Sequence, residues 1–97
     1  MFFEDENLYL LFKEIAEKKG GGRQLQKTVE ELGELTAAIS RYIASSAQKN
    51  RTAFFEELCD CAVMINQLFI IYEGDELKGV CTEKIARIRK RLKEGEL

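Results

Sequence analysis

The stretch FFEELCDCAVMINQLFIIY, residues 54–72, decides the fold. At about 100° per residue, Leu58, Cys61, Ala62, Ile65, Leu68, Phe69 and Tyr72 form one arc, and Met64 and Ile71 widen it. A helix that is apolar round most of its circumference is a buried one. Such a helix needs other helices to bury it, so the stretch predicts an all-α domain. Two of its acids break the pattern. Glu57 and Asp60 project on the Met64–Ile71 side, and Asp is a poor helix former in mid-helix. A local rule broken inside a core helix is the usual mark of a functional site.

Upstream, the spacing predicts a second helix from about Arg23 to Ala47. Its apolar stripe is Leu25, Val29, Leu32, Thr36, Ile39 and Ile43, widened by Leu35 and Tyr42. This helix carries Glu30-Glu31-Leu32-Gly33-Glu34, with Glu31 at the edge of the stripe and Glu34 roughly 60° further round. Glu31 with Glu34, and Glu57 with Asp60, are pairs at i, i+3, neighbours on a helix surface. If the two helices pack antiparallel, four carboxylates converge between them. Four such groups cannot stay ionised in a helical core without a cation. Hard oxygen donors point to Mg²⁺ and a phosphate-bearing ligand. Either pair alone is also what a solvated helix face looks like, and acids near a helix start complement the dipole. Gly33 in mid-helix costs about 1 kcal/mol relative to Ala; one local reason for it is a close approach of another backbone or a ligand.

The remaining chain completes a four-helix pattern. A first helix is expected over about residues 4–19, with Leu8, Leu11, Phe12 and Ile15 as its stripe. Phe2 and Phe3 are expected to pack on the bundle or on a neighbouring subunit. Gly20-Gly21-Gly22 reads as a break; it lacks the following Lys-Ser/Thr and the preceding strand of a phosphate loop. Ser45 to Asn50 reads as a polar loop, with Asn50 or Thr52 capping the third helix. Gly74 is expected to close that helix and Asp75 to cap a fourth, about Asp75 to Lys93, which buries Leu77, Cys81, Ile85, Ile88 and Leu92. Lys84, Arg87 and Arg91 share one shoulder of it. The expected architecture is a four-helix bundle-like single domain over 1–97.

Composition narrows the function. The chain of 97 residues is 33% charged with a formal net charge of −2, which argues against a nucleic-acid binder with a basic face. A domain this short gains from self-association. No apolar run is long enough to span a bilayer, and the N-terminus lacks the features of a signal peptide; the cytoplasm is the expected compartment. The cysteines are three, Cys59, Cys61 and Cys81, and no histidine is present. An odd count without a secretory signal argues against a disulfide framework. Absence of histidine excludes Ser-His-Asp and Cys-His catalysis and His-ligated zinc. Cys59 and Cys61 read as small core residues.

The order EELGE, then ELCD in an apolar helix, resembles the EExxE…ExxD pattern of the all-α nucleoside triphosphate pyrophosphohydrolases of the MazG type. The likeness runs from about Gln24 to Leu92, through Gln26-Lys27 and the segment Glu83 to Leu92, which resembles the tail of small phage-type members. The resemblance implies Mg²⁺, with Mn²⁺ as a substitute, on Glu31, Glu34, Glu57 and Asp60. Glu30 becomes a supporting, water-orienting group, so that Glu30, Glu34 and Asp60 are the expected catalytic set. It implies cleavage of nucleoside triphosphates to monophosphate and pyrophosphate, in nucleotide-pool house-cleaning, by a dimer or tetramer. Outer phosphates need cations, for which Lys27, Lys84, Arg87 and Arg91 are the candidates; each also reads as solvated helix charge. The family often stacks its base on an aromatic near the N-terminus. This chain has no Trp, and Phe2, Phe3, Tyr9 and Phe12 read as packing residues, which leaves the base open. Two further readings stand beside this one: a metal-dependent nucleotide-binding or regulatory module without turnover, and a helical interaction protein whose acids are surface charge.

Overall fold

A computed structural model describes residues 5–96. Every regular element in it is an α-helix: α1 (Glu6–Lys19), α2 (Gly21–Ala44), α3 (Gln48–Ile71) and α4 (Asp75–Lys93). None of them is long and apolar enough to cross a membrane. The packing expected of Phe2 and Phe3 lies outside the described residues.

Short connections fix the order. Asp5 caps α1 by accepting from the Asn7 backbone N–H at 2.7 Å. Gly20, at φ 84°, is the single joint between α1 and α2; the other two glycines of the triplet already form the first turn of α2. The second loop is only Ser45 to Ala47, shorter than expected, because α3 starts at Gln48. Neither Asn50 nor Thr52 caps that helix. Asn50 Nδ2 instead donates to the Ser45 carbonyl at 2.9 Å, tying the loop to α3. Tyr42 stacks on Phe54 with ring centroids 5.5 Å apart, which closes the α2–α3 hairpin. Gly74 takes the N-cap place of α4, and Asp75 falls in its first turn.

The core is a three-helix unit in which α2 and α3 make the principal seam and α1 lies across both, chiefly on α3. Its apolar centre is Phe12, Ala16, Ala38, Cys61 and Met64. The stripe of α2 that faces α3 is Gln24, Thr28, Glu31 and Ala38, with Leu35 and Tyr42 half-buried between and beyond them. That stripe lies one residue away from the expected one. Leu25, Val29, Leu32 and Ile43 point outward, Ile43 with 79% of its surface free. The arc expected on α3 is covered only in part: Cys61 and Met64 are buried and Ala62, Leu68 and Ile71 half-buried, while Leu58, Ile65, Phe69 and Tyr72 are exposed, and Gln67, outside that arc, is buried. Polar groups on the seam pair with one another in part. Gln24 Nε2 donates to Gln67 Oε1, the Thr28 hydroxyl to the Gln24 carbonyl at 2.7 Å, and the Cys61 thiol to the Glu31 carbonyl at 3.1 Å.

α4 corrects the expected bundle. No Cα of α4 comes within 8 Å of a Cα of the other helices. Leu77 and Cys81 are half-buried, but Ile85, Ile88 and Leu92 are exposed. The radius of gyration is 16.1 Å, against roughly 12.5 Å for a compact domain of this length. From Ile85 onward the apolar stripe of α4 thus has no cover among the described residues.

Candidate metal centre

Antiparallel packing of α2 on α3 brings the two acidic motifs together. Glu31, Glu57 and Asp60 each offer one carboxylate oxygen, and the three oxygens lie within 4.8 Å of one another. Their environments are graded: Glu31 is buried, Glu57 half-buried and Asp60 exposed. The cluster therefore has a floor and an open mouth. Glu34, exposed on α2, lies close enough to hydrogen-bond the Glu57 carboxyl. All four carboxylates expected at the site are accordingly neighbours, three of them as a tight group.

Electrostatics mark the cluster as unfinished. Oε2 of Glu31 and Oε2 of Glu57 are buried and have no hydrogen-bond partner. A buried acceptor left unpaired costs about 1–3 kcal/mol, and more when charged. Burial pushes the Glu57 carboxyl above its ordinary value, helped by its hydrogen bond to Glu34 and by the charges of Glu34, Asp60 and Glu31. The Cys61 thiol is raised by burial and by the same carboxylates, so it stays protonated and acts as a packed hydrogen-bond donor, as its sequence context suggests.

One cation answers this charge from within. Lys27 Nζ lies 3.1 Å from Glu31 Oε1 and 3.4 Å from Glu30 Oε2. These pairs raise the Lys27 ammonium above its ordinary value, the Glu31 hydrogen bond first. Lys27, expected to meet phosphate, is thus placed at the edge of the cluster. Glu30, expected among the catalytic groups, is exposed and turned to Lys27, outside the three-carboxylate group. Lys84, Arg87 and Arg91 stand on α4, away from α2 and α3, so one chain does not bring them to the carboxylates. Among the described residues, a Cβ built at Gly33 meets nothing within 4 Å, so none of them makes the approach expected at that glycine.

Sequence reasoning passed over the cleft beside the cluster, which is lined by Lys19, Arg23, Gln24 and Gln67 among others. The signal was present, since Gln24 lies seven residues before Glu31 and Gln67 seven after Asp60. Chemically, the arrangement is a set of hard oxygen donors with two unpaired buried oxygens, which suits a divalent cation such as Mg²⁺. No family model, no curated protein and no solved structure matches the chain.

Proposed function

We propose that the protein is a Mg²⁺-dependent nucleoside triphosphate pyrophosphohydrolase, the activity implied by the resemblance of its acidic motifs. The observation that carries this reading is the three-carboxylate group of Glu31, Glu57 and Asp60, in which Glu31 and Glu57 each also bury an unpartnered oxygen. Glu31, Glu57 and Asp60 would hold Mg²⁺, with Glu34 beside them; when bound, the ion neutralises phosphate charge and makes water a better nucleophile. The residues of the chain divide the remaining work. Lys27 anchors Glu31 by its Oε1, leaving Oε2 free. Glu34, at the open mouth, accepts the proton of the attacking water. Water oxygen then bonds to the α-phosphorus as the α–β anhydride bond breaks, and pyrophosphate leaves with the bonding electron pair.

Self-association belongs to the same proposal. The outward stripe Leu25, Val29, Leu32 and Ile43 and the uncovered Ile85, Ile88 and Leu92 of α4 are apolar surfaces that a second copy can bury. A partner's α4 would also carry its row of cations toward an acidic centre that, among the described residues, pairs with Lys27 alone.

The test is pyrophosphate release with Mg²⁺ across canonical and modified nucleoside and deoxynucleoside triphosphates. Wild-type turnover of at least one substrate, lost in Asp60→Asn, supports the proposal. Nucleotide-dependent thermal stabilisation without pyrophosphate release would establish the non-catalytic binding module instead. That second reading draws on one observation: within a single chain, Lys27 is the only cation paired with the cluster among the described residues.

A further inference from the structure

The carboxylate cluster is one polar layer of the α2–α3 seam, and a second lies along the same seam. Seven residues separate Gln24 from Glu31 on α2, and Asp60 from Gln67 on α3. Seven residues return a helix to nearly the same face about 10 Å further along. Antiparallel packing therefore sets the two amides opposite each other, two turns from the carboxylates. Gln67 is 2% exposed and Gln24 5%, and Gln24 Nε2 donates to Gln67 Oε1. The rest of their capacity is unspent. Gln67 Nε2 meets only the Met64 thioether at 3.9 Å, a weak acceptor. Gln24 Oε1 accepts nothing among the described residues.

Two buried amides with a spare donor and a spare acceptor are an expensive way to fill a core, since apolar groups of the same shape serve as well. Both line a cleft of about 540 Å³, within the usual range for a small-molecule site. Its other walls are apolar at Ile15 and Met64, cationic at Lys19, Arg23 and Lys27, and completed by Gln26 and by Glu30, which Lys27 pairs at 3.4 Å. The cleft reaches the cluster directly, because Lys27 lies 3.1 Å from Glu31.

We infer that this cleft is the nucleobase subsite of the enzyme. The base sits against Ile15 and Met64, and its hydrogen-bonding edge is read by Gln24 Oε1 and Gln67 Nε2. The phosphates run past Arg23 and Lys27 to the carboxylates. Two turns of helix match the reach from an α-phosphate to the far edge of a base. An acceptor beside a donor complements the edge of any nucleobase, so the pair reads that a base is present and leaves its identity to the cleft walls. This inference rests on the metal centre being a nucleotide phosphate site.

Calorimetric binding with Mg²⁺ separates the two. The probes are inorganic tripolyphosphate, which has no base, and the α,β-imido analogues of ATP, GTP, CTP and UTP. The wild type is expected to bind at least one analogue tenfold or more tightly than tripolyphosphate. The double variant Gln24→Leu/Gln67→Leu keeps an apolar seam and should bring that analogue down to tripolyphosphate affinity, with tripolyphosphate binding unchanged. Equal wild-type binding of analogues and tripolyphosphate, or an advantage that survives in the double variant, overturns the base subsite and leaves the metal centre standing. Absence of Mg²⁺-dependent binding by every probe overturns both.

Discussion

Lys27 Nζ lies 3.1 Å from Glu31 Oε1, while the second oxygen of the same carboxylate, Oε2, is buried without a partner. The two halves of Glu31 are thus treated differently. One is fixed by an exposed cation on its own helix, four residues back. The other has no partner, although Glu57 and Asp60 each bring a carboxylate oxygen within 4.8 Å of one of Glu31's. A fold that spends its most buried carboxylate this way is poised for a cation from solution.

Divalent metal should therefore stabilise the fold. With free Mg²⁺ at 100 times its dissociation constant, the gain is about 2.7 kcal/mol. For a domain of this size that is a rise in Tm of roughly 10–20 °C. Thermal unfolding in EDTA and in Mg²⁺ measures it. In Glu31→Gln the rise should vanish, because the buried oxygen no longer carries charge.

The dependence on pH follows from Glu57. Its folded pKa is raised above the ordinary 4.5 by burial and by Glu34, Asp60 and Glu31. The folded state then holds a proton that the unfolded state has released. Stability is fully present below about pH 4.5 and is lost as pH rises through the folded value. Denaturant midpoints measured in EDTA should fall across that window, and Glu57→Gln should flatten the fall. Mg²⁺ should abolish it, since the ion takes the place of the proton.

How much of this could be read in advance depends on which residues are asked. The carboxylate cluster was legible because its i, i+3 spacing is duplicated on two helices that had to pack. The face that packs was not. Gln24, Thr28, Glu31, Leu35 and Ala38 have the same period as Leu25, Val29, Leu32, Thr36 and Ile39, one residue away. Hydrophobicity favours the second set, and only mutual pairing of the polar groups favours the first. The helices were legible to within a few residues. The closed bundle was not, because a stripe such as Ile85, Ile88 and Leu92 reads alike whether its own chain or another copy covers it.

That ambiguity carries its own prediction. Ile43, 79% exposed on the outward stripe of α2, should lie in a contact between copies. Sedimentation of the wild type should show a dimer or tetramer, and Ile43→Glu together with Val29→Glu should shift it toward monomer with helix content unchanged. A monomeric wild type at high micromolar concentration would refute the contact.

Gly33 gives a second view of the same surface. None of the described residues lies within 4 Å of a Cβ placed there, so Gly33→Ala should gain about 1 kcal/mol from helix propensity. Thermal melts should show a rise of roughly 4–8 °C. A loss instead would place a partner's backbone against this turn of α2.

The most direct test of the central claim is a Mn²⁺ titration followed by electron paramagnetic resonance, in which bound ion loses the six-line signal of free ion. The wild type should remove Mn²⁺ saturably, Mg²⁺ should compete it off, and Glu31→Gln and Asp60→Asn should each leave the free signal intact. A wild type that leaves all Mn²⁺ free at millimolar concentration, or variants that bind it equally well, would contradict a metal centre built on Glu31, Glu57 and Asp60.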